Sequence, residues 1–400
     1  MNTNRRLFLG AAMAAGAFGP AVAQTASAAA GLAAGSDDMP TITAPGYDAP
    51  RLTRRIEVLD LRVLEEQARK VIPAGGFGYI SSGAGDGWTM HENINAFKRR
   101  QILPDYLKAM GRIDTSTTIL GTRIGVPIIT TVFGGHAIAH VTAEAGTARG
   151  THAAGTLFTC GSQANLPMEV VAAASPGPNW MQLYIQNDRG LMREFLQRAK
   201  ASGYRAIVIT VDAFFRSNRE TDLANHYESP FQAANFPKRA TTGYSASTSI
   251  MKHDLGWDDV AFVQKESGLP VIIKGVMTPG LARDAIAHGC AAIQVSNHGG
   301  RQLDDQPATF TMLPRIADAV AGRIPIVFDS GVRRGQDVFK ALALGANVIA
   351  LGRPVLYGLA LGGWMGVQAV HERIAAELVM TMTAAGTSKI SEITAKSLLA

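Results

Sequence analysis

The sequence has few of the features that mark disulfide-stabilised, membrane-spanning or nucleic-acid-binding proteins. Its 400 residues include only two cysteines, Cys160 and Cys290, and neither has the CxxC spacing typical of metal sites. Because Cys160 ends one predicted strand and Cys290 precedes another, we expect them at opposite ends of the fold, too far apart for a disulfide. No segment beyond residue 23 has the roughly 18 uninterrupted apolar residues of a membrane span. The net charge of +6 comes from no long Lys/Arg run, so nucleic acid is not an expected partner.

An export signal is predicted at the N-terminus. Arg5 and Arg6 precede an uncharged stretch rich in Ala and Gly that ends in an A-x-A cleavage pattern at residues 21–23. Paired arginines in this position indicate a twin-arginine signal, which carries folded proteins. An ordinary secretory signal is the alternative. We expect residues 1–23 to be this signal, which predicts a periplasmic protein, and residues 24–55 to be a flexible linker rich in small residues and proline.

The remainder, residues 56–400, is predicted to be one domain built on a repeated strand–helix pattern. Eight short apolar segments alternate with helix-length segments, at 126–132, 156–160, 180–185, 206–212, 270–276, 291–296, 325–331 and 348–352. Apolar strands separated by helices predict parallel strands buried on both faces. Eight such units predict an α/β fold of the (β/α)8 TIM barrel type. No G-x-G-x-x-G motif follows the first strand, which argues against a dinucleotide-binding domain.

Two segments lie outside this repeat. Ahead of the barrel, Asp60 is predicted to cap a helical extension that carries Leu61, Leu64, Ala68 and Val71 on one face. After the fourth strand, residues of about 213–256 are rich in Ser, Thr, Ala and Gly, and the next helix should begin near Trp257. A loop this long inside a compact domain is usually a lid or is disordered, and we interpret it as a lid.

Charged residues follow the predicted strands at their C-terminal ends, where barrels of this kind carry their chemistry. His298 and Arg301 follow the sixth strand, separated by two glycines. A base beside a fixed cation indicates proton transfer on an anionic substrate, whereas in isolation the pair would more often be surface residues of a turn. Lys274 ends the wholly apolar fifth strand, so it should be buried and require an anionic partner.

The loops after strands seven and eight predict a phosphate site. Both combine glycine with arginine, and a helix should begin near Gln336, so backbone N–H groups, a helix N-terminus and guanidinium groups would bind the phosphate. Arginines paired with surface carboxylates are the alternative. A phosphate site together with Lys274, which could stabilise negative charge near N1 of the ring, favours a flavin. Gln182 and Thr210 could supply hydrogen bonds to the ring edge.

Several motifs together resemble one enzyme family. They are Ser-Gly-Ala-Gly-Asp-Gly-Trp-Thr-Met-His-Glu-Asn at 82–93, Ser-Asn-His-Gly-Gly-Arg-Gln-Leu at 296–303, Asp-Ser-Gly-Val-Arg-Arg-Gly at 329–335 and Leu-Gly-Arg-Pro at 351–354. The chain resembles the FMN-dependent L-2-hydroxy acid oxidases and dehydrogenases from about residue 57 to 395, and residues 358–364 look nearest to the lactate oxidase branch. The resemblance implies FMN as cofactor, a small 2-hydroxy acid as substrate, oxygen or a quinone or cytochrome as electron acceptor, and a homotetramer.

The resemblance also implies residue roles. His298 would take the proton in substrate oxidation, and Asp212 would stabilise the imidazolium. The catalytic residues would be His298, Asp212, Tyr184 and Lys274. The substrate would be bound by Tyr79, Tyr184, Arg219 and Arg301. The cofactor would be bound by Gly134, Gln182, Thr210, Lys274, Ser296, Asp329, Gly331, Arg333, Gly352 and Arg353.

Departures from the family pattern fall in the predicted substrate pocket. Phe133 and Gly134 stand where Pro-x-Ala or Pro-x-Gly is usual, and Gly161 and Gln163 replace a segment that usually carries Trp or Tyr. We expect Phe133, Gly161 and Gln163 to form the wall opposite the base, so lactate is not assigned as the substrate. Two alternatives are another FMN-binding barrel enzyme that shares only the phosphate site, and a non-catalytic periplasmic binding barrel. Neither explains why base and arginines occur together.

Overall fold

The computed structural model describes residues 39–215, 217–236 and 251–399, and its centre is a closed barrel of eight parallel strands, as predicted. The signal expected at residues 1–23 lies outside the described residues. The strands of the described part are β1 Gln101–Ile102, β2 Thr117–Ile119, β3 Thr122–Ile124, β4 Ile128–Thr130, β5 Phe158–Gly161, β6 Asn179–Leu183, β7 Ile207–Thr210, β8 Val271–Val276, β9 Ala292–Val295, β10 Ile326–Phe328, β11 Val348–Leu351 and β12 Leu398–Leu399.

The barrel consists of β4 to β11 in chain order, closed by pairing of β11 with β4. Each barrel strand matches one predicted segment, but all eight are shorter than predicted because strand pairing does not extend over the whole predicted segment. Outside the barrel, β1 pairs with β12, and β2 pairs with β3 in a hairpin.

Helices follow the barrel strands and pack around them. The α-helices of the described part are α1 Leu61–Arg69, α2 Ala74–Ser81, α3 Trp88–Asn95, α4 Ala143–Ala153, α5 Met168–Ala174, α6 Arg189–Ala201, α7 Glu220–Ala224, α8 Trp257–Ser267, α9 Pro279–Ala287, α10 Thr309–Val320, α11 Gly335–Ala343 and α12 Arg353–Ala384. Helix α12 has a kink at Gly362 and Gly363, whose backbone angles are not helical. The helix expected to begin near Trp257 is confirmed as α8.

Inside the barrel, side chains change from apolar to polar along the strands. The first inward layer is an apolar cluster that includes Ile129, Leu157, Trp180, Val208, Ile272, Ala292, Val327 and Val348. Residues two positions further along a strand point the same way. At those positions stand Thr131, Thr159, Gln182, Thr210, Lys274, Gln294, Asp329 and Ala350, all buried. Because buried polar groups require partners, this second layer marks the end of the barrel that holds a site.

The N-terminal extension is partly as predicted. Asp60 caps α1 by accepting a hydrogen bond from the Arg62 amide at 2.9 Å, and Leu61, Leu64 and Ala68 are buried. Val71 does not share this face, because α1 ends at Arg69 and Val71 is 43% exposed.

The described part of the predicted linker, residues 39–55, contacts the barrel instead of standing clear of it. The Tyr47 hydroxyl donates to the Ile138 carbonyl at 2.8 Å, and the Ile42 amide donates to the Val141 carbonyl at 2.8 Å. Tyr47 also packs edge-on against Phe231, with ring centroids 5.5 Å apart. These residues therefore belong to the folded body.

Cys160 and Cys290 are both free thiols with buried side chains. In the described ranges, no helix is both long enough and apolar enough to span a bilayer.

Candidate active site

A cavity of about 240 Å³ opens at the C-terminal ends of the barrel strands. Most residues that were predicted to act in substrate or cofactor binding line it: Tyr79, Gly134, Gln182, Tyr184, Arg219, Lys274, His298, Arg301, Asp329, Gly331, Arg333, Gly352 and Arg353. The other three lie directly behind this lining. Asp212 and Ser296 are hydrogen-bonded to His298, and Thr210 is hydrogen-bonded to Gln182. The fold thus brings together residues from helix α2 and from seven barrel strands or the loops that follow them.

His298 is fixed by its neighbours on one side. Its Nδ1 lies 2.9 Å from Asp212 Oδ1, and Lys274 Nζ lies 3.4 Å from the same nitrogen. The backbone of His298 is left-handed, with φ of 57°, and its amide donates to Ser296 Oγ at 3.1 Å. Because Asp212 accepts the Nδ1 proton, Nε2 is the nitrogen left for a ligand in the cavity.

The charges around His298 keep its ring neutral at ordinary pH. Burial and the positive charge of Lys274 lower the pKa of His298 to about 4, although Asp212 opposes this shift. Burial alone would raise the pKa of Asp212, but Lys274 and His298 outweigh it and hold the pKa of this carboxyl below its usual value. A neutral imidazole backed by a carboxylate can accept a proton, and the resulting imidazolium is stabilised by Asp212.

Two arginines and two aromatic rings form the cationic end of the cavity. Arg219 and Arg301 are both buried, and Arg219 Nε donates to the Arg301 carbonyl at 3.1 Å. The Arg301 guanidinium lies 5.0 Å from the Tyr79 ring centroid and 5.3 Å from that of Phe133. Buried arginines that face a cavity are suited to a carboxylate ligand.

The predicted substrate wall is only partly correct. Phe133 packs on Arg301 and Tyr79, so its ring belongs to the carboxylate end and not to the opposite wall. Gly161 is buried in β5, where an added Cβ would lie 3.0 Å from Val132 Cγ2, and it does not line the cavity. Gln163 does line the cavity. The error has one cause: sequence spacing gives the position of a loop residue but not the direction of its side chain.

The turn at the end of α2 supports two of the site arginines. Arg301 Nη1 donates to the carbonyls of Ile80 and Ser82, at 3.3 and 3.0 Å. Arg353 donates to the same two carbonyls through Nε and Nη2, at 3.0 and 2.8 Å, and to the Gly299 carbonyl at 3.0 Å. Burial and the nearby charge of Arg301 lower the pKa of Arg353 to about 9. An anion in the cavity would compensate these crowded cations.

At the predicted phosphate end, the N-terminus of α11 differs from the prediction. The amides of Arg333 and Arg334 donate to Asp337 Oδ2, at 2.9 and 3.0 Å, and the Gly335 amide donates to Glu377 Oε2 at 2.9 Å. The N-terminus of α11 is therefore occupied by the protein's own carboxylates. Gly331 and Gly352 still line the cavity, so their backbones and the neighbouring arginine side chains are the groups that could bind a phosphate.

Arg333 and Arg353 are the side chains available for this purpose. Both line the cavity, and within the described ranges neither forms an ion pair with a carboxylate. Lys274 adds a third cation, which is buried with 3% exposure on the floor of the same cavity. On the phosphate side, the cations have no carboxylate partners among the described residues and could bind a phosphate. Gln182 Nε2 donates a hydrogen bond to Thr210 Oγ1 at 2.9 Å, and this pair could bond a ring. The cavity therefore fits a phosphorylated ring cofactor.

Several supporting residues were not predicted. Gln294 Nε2 donates to the predicted residue Asp329 at 2.6 Å. Asn93 and Asn297 exchange side-chain hydrogen bonds of 2.9 and 2.8 Å. A glutamine inside the apolar strand β9 was a signal for the first of these. The second joins α3 to the His298 loop across 204 residues, and no local pattern reveals such a partner.

The lid segment contributes a further wall. Asp222 and Tyr227 line the cavity, although neither was singled out from the sequence. Asp222 Oδ2 lies 4.0 Å from Arg219 Nη1. Burial raises the pKa of Asp222 above its usual value, against the opposing effect of Arg301 and Arg219. Arg216 and residues 237–250 of the predicted lid lie outside the described residues.

Comparison with known proteins identifies the family. The family model described as FMN-dependent dehydrogenase matches residues 68–400. The chain belongs to this family. It is 41% identical over 354 residues to an L-lactate oxidase of Lentilactobacillus hilgardii, which covers 87% of this chain and 96% of that protein. It is 40% identical over 349 residues to a glycolate oxidase of Spinacia oleracea, at 84% and 95% coverage.

Solved structures of the family have the same architecture. A lactate oxidase of Pediococcus acidilactici superposes with a TM-score of 0.86 at 41% identity, covering 90% of this chain and 99% of that one. A mandelate oxidase superposes with a TM-score of 0.78 at 32% identity, covering 85% and 98%. The predicted family, barrel and flavin cofactor are therefore confirmed. The cationic cavity of this chain fits that cofactor.

Proposed function

We propose that this enzyme oxidises an L-2-hydroxy acid to the 2-oxo acid with His298 as the base. Oxidation of a 2-hydroxy acid with FMN is the activity of the family to which the chain belongs. The observation that carries the residue assignment is the 2.9 Å contact between His298 Nδ1 and Asp212, which leaves Nε2 for the substrate. The two alternatives, an FMN barrel that shares only the phosphate site and a non-catalytic barrel, are not supported by the family match or by this pairing.

The residues of the chain divide the work between binding and proton transfer. Arg219 and Arg301 bind the substrate carboxylate, and Tyr79 contributes its hydroxyl at the same end. Tyr184 bonds the substrate hydroxyl, and His298 accepts the proton while Asp212 stabilises the charge that develops. FMN, when bound, supplies the acceptor for two electrons. Lys274 places a positive charge on the barrel floor, where it would stabilise a reduced, anionic flavin, and Arg333 and Arg353 would hold the phosphate.

The base assignment is tested by His298→Gln. We expect the purified variant to retain FMN, seen as flavin absorbance, and to lose reduction of that flavin by 2-hydroxy acids in anaerobic mixing. His253→Gln, at an exposed position, serves as the matched control and should behave as wild type. Near wild-type flavin reduction in His298→Gln would overturn the assignment, whereas colourless wild-type protein would contradict the flavoenzyme itself.

We propose oxygen as the electron acceptor, since the lactate and glycolate oxidase relatives are named for that activity. A quinone or cytochrome is the alternative, favoured by export and by Gly134, where family resemblance associates glycine with weaker oxygen use. Reoxidation of the substrate-reduced enzyme distinguishes them. Rapid reoxidation by air with release of peroxide supports oxygen, and slow reoxidation by air but rapid reoxidation by a quinone analogue rejects it.

We also propose export to the periplasm through the twin-arginine-type signal at residues 1–23, and assembly into a tetramer. The paired arginines and the A-x-A pattern support the first proposal. Family resemblance supports the second. Fractionation of cells that express the full chain tests export, and Arg5→Lys with Arg6→Lys should retain the protein in the cytoplasm. A monomeric mass by light scattering would contradict the tetramer.

A further inference from the structure

Gln163 is a polar side chain on the wall beside Gly134 that the proposed reaction does not use. A Cβ built on Gly134 would lie 3.2 Å from Gln163 Cβ, so Gln163 leaves the backbone directly against the residue expected beside the reactive edge of the flavin. Gln163 lines the cavity and is partly exposed to it. With the substrate α-carbon expected between His298 and this edge, a substituent on that carbon would face the same wall.

The carboxamide of Gln163 has hydrogen-bonding capacity to spare. Its polar neighbours on the same wall are bonded within the protein: Asn165 accepts from the Ala137 amide at 2.9 Å and donates to the Gln232 carbonyl at 3.2 Å. Ser229 donates to the Phe231 carbonyl at 3.2 Å. Among the described residues, no hydrogen bond is formed by the Gln163 side chain, which offers two N–H donors and one acceptor to a ligand.

The charges of the cavity restrict which polar groups fit. Arg219 and Arg301 are expected to bind the carboxylate on the α-carbon. Asp222 and Glu228 also line the cavity and would repel a second carboxylate. A neutral group that both donates and accepts hydrogen bonds satisfies Gln163 without meeting this repulsion.

We infer that Gln163 is a specificity-determining residue and that the preferred substrates are 2-hydroxy acids with a neutral hydrogen-bonding group on the side chain, such as a hydroxyl. This inference rests on the proposed function. An apolar substituent would displace water from the Gln163 carboxamide and leave it unpaired, whereas a hydroxyl would replace that water. Sites that bond a substrate hydroxyl discriminate strongly against analogues that lack it.

L-Glycerate and L-2-hydroxybutyrate provide a matched pair of substrates, because they differ only by a hydroxyl in place of a methyl group. We expect kcat/KM for anaerobic flavin reduction to be on the order of tenfold or more higher for L-glycerate. Gln163→Leu should abolish or reverse this preference while flavin absorbance is retained. Gln163→Asn should preserve part of it, and the exposed Gln197→Leu should leave it unchanged.

Binding of the corresponding 2-oxo acids gives a second readout that does not depend on turnover. Calorimetric titration of the holoenzyme should show tighter binding of hydroxypyruvate than of 2-oxobutyrate, with the difference lost in Gln163→Leu. If both hydroxy acids reduce the flavin equally well in wild type, or if Gln163→Leu keeps the preference, the inference is wrong and the proposed function stands. If neither acid nor L-lactate reduces an FMN-loaded enzyme, the proposed function itself fails.

Discussion

At the scale of single residues, Asp212 is the most constrained group in the site. Its Oδ1 is bonded to His298, while its Oδ2 is buried and has no hydrogen-bond partner within the described ranges. A buried carboxylate oxygen without a partner is costly to leave unpaired. The positive charge of Lys274 offsets this cost, as does that of His298 once it is protonated. Asp212 is thus stabilised most in the state that follows proton transfer.

Asp212→Asn should therefore slow flavin reduction by roughly 10²- to 10⁴-fold with FMN still bound. Loss of the carboxylate charge removes a stabiliser of the imidazolium, so the pKa of His298 should fall further below about 4 and the acid limb of the pH profile should move down with it. Anaerobic flavin reduction measured across pH tests both effects. The exposed Asp318→Asn is the control, and an unchanged rate in Asp212→Asn would contradict the role.

The main residues of the site could be predicted from the sequence, because the C-terminal ends of barrel strands converge. His298, Arg301 and Lys274 could be predicted from their places after apolar strands. Phe133 could not, because the direction of its ring onto Arg301 depends on the loop backbone around it. Asp222 was missed for a related reason: an acidic residue in a polar segment carries no local signal until that segment folds against the cavity.

At the scale of elements, helix α2 is unusual because glycines occupy three of its eight positions. They leave room for aromatic side chains from elsewhere in the chain. A Cβ on Gly75 would lie 2.5 Å from the Tyr227 ring, and one on Gly76 would overlap the Tyr47 hydroxyl. The backbone of these glycines is helical, so their conformation does not require glycine. The reason for glycine here is close packing.

Gly76→Ala tests this packing. Alanine favours a helix over glycine by about 1 kcal/mol, but overpacking against a fixed ring costs roughly 1–3 kcal/mol. We expect net destabilisation, because Tyr47 must give up its hydrogen bond to Ile138. Thermal unfolding measures the difference. Gly280→Ala in α9 is the control, since the nearest atom to its Cβ is 3.9 Å away, and equal behaviour of the two variants would exclude the packing role.

Helix α11 shows what local sequence cannot predict about an element. Its start near Gln336 was predicted correctly, and so was the glycine–arginine composition of the preceding loop. Its N-terminal amides are nevertheless bound by Asp337 and, from the distant helix α12, by Glu377. A partner that arrives from another helix is visible only in the folded chain. The N-terminus of α11 was therefore wrongly included in the predicted phosphate site, whereas Gly331, Gly352, Arg333 and Arg353 line the cavity as expected.

At the scale of the whole molecule, the barrel could be predicted because eight apolar segments recur with helix-length spacing. The N-terminal residues 39–55 could not be assigned to the folded body, because their contacts run through isolated side chains such as Tyr47. A repeated sequence pattern predicts the elements of the barrel, but the composition of an irregular segment does not predict whether that segment packs against them.

Buried neutral histidines predict an acid-sensitive fold. Burial lowers the pKa of His140, His298 and His371 to about 4 each, and that of His136 and His152 in the same direction. Between pH 6.5 and 4 the unfolded chain therefore binds more protons than the folded one, so stability is lost as pH falls through this window. His140, His298 and His371 each contribute on the order of 1–3 kcal/mol. The raised pKa values of Asp222 and Asp337 act in the opposite direction.

The melting temperature should accordingly fall between pH 6.5 and 4.5, in the presence and absence of FMN. His371→Gln should be less stable at neutral pH but decline less steeply, because one buried histidine no longer has to protonate. The exposed His253→Gln should follow the wild-type curve. A melting temperature independent of pH across this range would show that the histidines are not held neutral.

The turn at the end of α2 couples the substrate end of the site to the phosphate end. Arg301, expected at the substrate carboxylate, and Arg353, expected at the phosphate, donate to the same carbonyls of Ile80 and Ser82. An anion that draws either guanidinium into place orders the turn on which the other depends. Such coupling is reciprocal. If a bound phosphate raises the affinity for the substrate carboxylate by some factor, a bound carboxylate raises the affinity for the cofactor by the same factor. A 2-oxo acid product that stays bound in the pocket would therefore also slow the loss of FMN.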